Sequence, residues 1–168
     1  VQPLRVGTAR VTHGYFRVWG VAPAVGRDFT AADDAPGAPA TAILSDGLWR
    51  SQFGADPAVV GGTVRINDVV YTVIGVMPAG FVSLTQNQLD PTTPTQIWTD
   101  MQPTEAALEP LGPNLDFLGR LAPRVSLAQA NADLAASLAG FHQMHPQIAA
   151  HMGWGAQRLH DAIAGGSR

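Results

Sequence analysis

Histidines and aspartates are the residues in this chain with chemistry to offer. His142 and His145 stand three apart near the end of an expected helix, and His151 follows. An i,i+3 spacing turns two imidazoles toward one ion, the arrangement from which zinc and copper sites are built. No Asp or Glu lies among the three. A polar helix end, with His⁺ favoured by the C-terminal dipole, accounts for the same residues. The expectation is therefore no metal, with His142 and His145 as the candidates to titrate.

Ser45-Asp46-Gly47 follows a strand and precedes a helix, as a nucleophile elbow does. The elbow pattern wants Gly two residues before the Ser, and position 43 is Ile. Ser45 as a helix N-cap explains the position without catalysis. Asp28, Asp33 and Asp34 form the densest acidic cluster, but without the alternating ligands and terminal Glu of a calcium loop. They read as a solvated loop with capping aspartates. Glu105 and Glu109, the only glutamates, sit on a weakly helical stretch and make no argued acid pair. Gly61-Gly62 and Gly153-Trp154-Gly155 do not complete a dinucleotide fingerprint. Trp19, Trp49, Trp98 and Trp154 read as core or subdomain-contact residues rather than a sugar platform. No constellation carries a reaction, so no catalytic residue and no cofactor is expected.

Composition narrows the classes further. Cysteine is absent, which removes disulfides, thiolate metal sites and cysteine nucleophiles. All ten basic residues are Arg, which excludes a P-loop lysine and a Schiff-base lysine. The net charge of −3 and a charged fraction of 14% offer no basic stripe for nucleic acid. The longest charge-free stretches, 69–89 and 134–157, are broken by Gly, Pro and His and fall short of the ~20 apolar residues a membrane span needs. The chain opens on Val1 without a leader pattern and closes on Gly165-Gly166-Ser167-Arg168. It is expected to be a soluble segment of a longer protein.

The elements that would position these residues follow from pattern. Residues 4–11 read as a strand. Thr12 is placed to cap a short helix, 13–19, stopped at Gly20. The stretch 20–40 is punctuated by Pro and Gly and reads as loop. Residues 40–44 make a short strand, and Ser45 caps a helix over 46–53 that stops at Gly54. Residues 63–66 and 69–77 flank Asn67-Asp68 as a two-residue hairpin, with the second strand apolar on both faces and expected to be buried. A loop over 82–96, a strand at 97–99, a weak helix or turn at 103–110 and a strand at 117–121 follow. Ser126 to Gln129 is a capping box opening the best helix, with Leu127, Leu134, Leu138 and Phe141 on one stripe. A last strand is expected at 156–159. Strands and helices mix without steady alternation, which predicts a mixed α/β (α+β) domain.

Residues 11–29 carry Val11-Thr12, Tyr15-Phe16, Gly20, Pro23, Gly26-Arg27 and Phe29. This run resembles the start of the extracytoplasmic core domain of MacB-like and FtsX-like ABC-transporter permeases. Further similar segments follow in the right order: Ala42 to Arg50 with Ser45 and Trp49, then Phe53 to Pro57, Val60-Gly61, Ile66 to Asp68, and Tyr71 to Phe81 with Gly75 and Pro78. Gly119-Arg120-Leu121-Ala122-Pro123 leads into Val125 to Ala130, and Leu159 to Ile163 is similar to the closing segment before the next membrane helix.

The resemblance implies a porter-like α/β lobe, placed at 1–39 and 114–168, carrying a smaller inserted α/β (Sabre-like) subdomain at 40–113. It implies a non-catalytic domain on the periplasmic face of the inner membrane. Its partners would be its own transmembrane helices, a cytoplasmic ATPase, and a periplasmic adaptor or second permease half. The isolated segment is expected to be monomeric, because dimerisation in such permeases is imposed by the membrane part. In the 82–96 loop, rich in Gln and Thr, the chain departs from the family's pattern. The competing reading is a secreted ligand-binding module or hydrolase unrelated to transport.

Overall fold

The computed structural model describes residues 4–83, 94–102, 116–144 and 155–161. The expected helix or turn at 103–110, with Glu105 and Glu109, and most of the expected loop, 84–93, lie outside them. So do His145, His151 and Trp154. The chain divides into two compact units, Val1–Gly112 and Pro113–Arg168.

The first unit is a six-stranded mixed sheet. Its strands are β1 (Gly7–Val11), β2 (Val25–Gly26), β3 (Thr41–Leu44), β4 (Thr63–Ile66), β5 (Val69–Val76) and β6 (Thr95–Asp100). The order is β1-β6-β3-β5-β2, with β4 paired to β5. β1–β6 and β3–β5 are parallel, and the remaining pairs are antiparallel. This is the mixed α/β fold that the pattern of elements predicts. The second compact unit begins one residue before the expected boundary at 113/114. The 39/40 position lies between β2 and β3 of one sheet.

Adjacent residues of the central strands feed opposite faces, as the two-residue period of a strand requires. Ile43, Ile74 and Trp98 join Val11, Phe16, Phe29 and Met77 in one buried cluster. Their neighbours Ala42, Leu44, Val73 and Ile97 join Leu48 in another. Both faces of the sheet are thus covered, which is why Ala42 to Leu44 of β3 and the end of β5 are apolar without alternation.

Two short helices provide the cover. α1 (Tyr15–Trp19) buries Phe16 and is capped at its N-terminus by Gly14 at φ 90°, with no side-chain cap. The expected Thr12 cap is corrected: Thr12 contributes its carbonyl to Tyr15 N–H at 3.2 Å. α2 (Asp46–Phe53) buries Leu48, and the Ser45 side chain accepts from Leu48 N–H at the predicted cap. Asp56 caps the 3₁₀ turn Pro57–Val59 in the same way.

The hairpin forms as predicted, with Asn67 at φ 46° and Asp68 at φ 68°. Both central residues are left-handed, the requirement of a type I′ turn. Full burial of the second strand does not follow. Val69 and Val70 are 46% and 49% exposed, because pairing with β3 begins only at Thr72. Before that residue β5 has β4 alone beside it. Residues 20–40, expected to be loop, contain β2.

The second unit is built on α3 (Leu127–Met144). Its capping box is reciprocal: Gln129 N–H donates to Ser126 Oγ at 3.2 Å, and Ser126 N–H donates to Gln129 Oε1 at 2.8 Å. Leu127, Leu134 and Leu138 form a half-buried stripe; the side chain of Phe141 lies outside the described residues. The strand expected at 117–121 is irregular backbone. Phe117 and Leu121, on the same side of an ideal strand, are 81% and 49% exposed, so the alternation secures no buried face. The strand expected at 156–159 is also absent, and 159–161 are helical instead. The Asn131 side chain takes both main-chain groups of Ala156, at 3.0 and 2.6 Å. That leaves Ala156 no ladder to join.

Candidate functional site

The residues of the 11–29 run converge on a crossing at the edge of the sheet. Gly20, at φ 72°, ends α1. The chain then passes Pro23 and lies along β5, where Ala24 N–H donates to Val76 O at 2.8 Å and Arg27 N–H donates to Ile74 O at 2.9 Å. Gly26 and Gly75 face each other in this pairing. Gly26 has φ +77°, and a Cβ there would fall on the carbonyl of Ile74. A Cβ on Gly75 would meet Arg27 O at 2.6 Å. Only glycine at both positions permits so close an approach.

Beyond the crossing, Phe29 enters the core and stacks with Phe16 at 6.3 Å. Arg27 makes a two-pronged bond to Asp33, Nη1 to Oδ2 at 2.7 Å and Nη2 to Oδ1 at 2.8 Å. Thr30 adds its N–H at 2.7 Å and its hydroxyl at 2.6 Å, both donated to Asp33 Oδ2. The Arg27 hydrogen bonds, with those from Thr30, hold the Asp33 carboxyl far below the usual range despite its burial. Arg27 is raised in turn by its bond to Asp33. Asp34 reaches elsewhere: its Oδ2 accepts the main-chain N–H of His13 at 2.7 Å and lies 2.7 Å from His13 Nδ1. Asp28 is pushed up by burial, against its bond from Phe29 N–H and the nearby charges of Arg17 and His13.

The acidic cluster is therefore not the solvated loop expected. Asp33 and Asp34 are 7% and 9% exposed. Nor do the three carboxylates share a focus, since each serves a different partner. Among the described residues no group of three His, Asp or Glu side chains is arranged to hold a metal. The two separate contacts, His13 with Asp34 and Thr30 with Asp33, escaped the sequence reading, although Thr30 and Asp33 have the i,i+3 spacing of a side-chain cap.

The other conspicuous residues are also engaged by the fold. Ser45 Oγ is the cap acceptor for Leu48, and Ser45 N–H donates to Gln96 O at 2.8 Å. Trp49 is half-buried, with its indole N–H on Asp56 O at 2.8 Å and the Arg50 guanidinium 5.6 Å over its ring. Phe53 and Tyr71 pack on the rim of the second cluster. Gly61, at φ 89°, donates to Val73 O at 2.8 Å. Pro78 O accepts from Phe81 N–H at 3.2 Å, in a turn that sets Phe81 5.5 Å from Phe16 and 5.6 Å from Trp98. Trp98 is fully buried, so Trp98 and Trp49 offer no open stacking platform.

In the second unit Arg120 and Leu121 are exposed, in irregular backbone ahead of α3. His142 lies on α3, with its side chain outside the described residues. A shallow groove of about 310 Å³ in the first unit is lined by Gly26, Arg27, Val60, Gly61 and Thr72 to Ile74. Its one ionisable side chain, Arg27, is committed to Asp33. None of the described geometry gathers an acid, a base and a nucleophile. Among the described residues no helix is long and apolar enough to cross a membrane.

Curated proteins offer no match to this chain. The model of the MacB-like periplasmic core domain matches residues 2–137. That match takes in the sheet, the glycine crossing, the Arg27–Asp33 fork and the start of α3. The chain belongs to the MacB-like periplasmic core domain family, an extracytoplasmic domain of ABC-transporter permeases.

Proposed function

We propose that this chain is a non-catalytic relay. It couples ATP-driven motion of a permease's membrane helices to export or to a partner in the cell envelope. The observation that carries this is the family match over residues 2–137. The site geometry supports it, because among the described residues Ser45, Asp28, Asp33 and Asp34, which the sequence singles out, cap, clamp or pair within the fold. In this reading ATP is hydrolysed by a separate cytoplasmic part, and the membrane helices bias two states of the outer domain. A porter-like lobe at 1–39 and 114–168, with a smaller insertion at 40–113, belongs to the same proposal. So do the periplasmic location at the inner membrane and pairing with an adaptor or a second permease half.

The test uses the full-length permease. The chain has no cysteine, so a pair introduced across two elements of this domain is unique within it. Oxidation of a pair that freezes the domain is expected to stop export while ATP hydrolysis continues. Undiminished export by the cross-linked protein overturns the relay. So does turnover of any compound by the purified 168-residue chain, or a parent gene without ~20-residue apolar helices flanking this segment.

A further inference from the structure

We draw no further inference here: the strongest candidate, the exposed apolar end of the β4–β5 hairpin at Val69 and Val70, carries none because nothing in the structure shows what covers it.

Discussion

Gly26 and Gly75 are Cα partners across β2 and β5, and each lies where a side chain would strike the opposite main chain. The two positions are not equally demanding. Gly26 also holds φ +77°, a conformation costing an L-residue roughly 1–2 kcal/mol. Gly26→Ala is expected to add to that penalty the loss of the bonds from Ala24 and Arg27 to β5, at about 1 kcal/mol each. The total is about 3 kcal/mol or more. Gly75→Ala carries the clash without the φ penalty and should cost about 2 kcal/mol. Urea denaturation of the two variants checks both the size and the order. Equal, small effects would remove the crossing as a constraint.

The Arg27–Asp33 fork sets a pH dependence with a definite sign. Asp33 titrates lower folded than unfolded. Its contribution is therefore complete above the unfolded Asp value of about 3.9 and fades as pH falls below it. Asp33→Asn should cost about 1–2 kcal/mol at neutral pH, discounted because Arg27 is half exposed. The gap from wild type should narrow below about pH 4. Thermal melts from neutral to acid pH supply the measurement, and a constant gap refutes the ion pair as its source.

Asp28 runs the other way. Burial raises its carboxyl above the unfolded value, so the charged form is a liability in the folded state and protonation relieves it. Asp28→Asn keeps an Oδ1 acceptor for Phe29 N–H and removes the charge. The variant should be more stable than wild type at neutral pH, with the advantage vanishing as acid protonates Asp28. Melts over the same pH series test this, and destabilisation at neutral pH would mean that Arg17 and His13 outweigh burial.

Legibility tracked the range of each signal. The Ser45 and Ser126 caps and the Asn67-Asp68 turn are decided within a few residues, and each was readable. β2 was not, because two residues in a Pro- and Gly-rich stretch become a strand only through a partner some fifty positions away. Asp34 was misplaced for the same reason, since its partner His13 lies 21 residues back. The strands expected at 117–121 and 156–159 find no partner strand among the described residues, and a strand needs a neighbour to complete its ladder. Of the site, the glycines stood out by type and Arg27 only through the family resemblance. The fork and the clamp on His13 emerge only when the turn folds back.

The hairpin turn offers a stabilising change. Asp68 holds φ 68°, which glycine adopts without a Cβ penalty. Asp68→Gly creates Asn-Gly, the preferred type I′ pair, and should gain about 0.5–1 kcal/mol. The check is a raised melting temperature with the β4–β5 register unchanged by nuclear Overhauser contacts. A lowered one would mean that the Asp68 side chain makes a contribution the turn geometry does not explain.

The second unit holds the analogous position at Arg124. Val125 N–H closes a turn on Ala122 O at 3.0 Å, with Pro123 second and Arg124 third at φ 68°. Proline followed by a left-handed residue is the type II turn, whose third position favours glycine. Arg124→Gly should stabilise the second unit by about 1 kcal/mol. Arg124→Ala removes the same charge but keeps a Cβ, and should change stability little. The pair separates backbone strain from electrostatics: strain predicts a gain for glycine alone, whereas a charge effect moves both variants together. Hydrogen exchange at the first turns of α3 reads the difference locally, and equal shifts for both would assign the effect to the guanidinium.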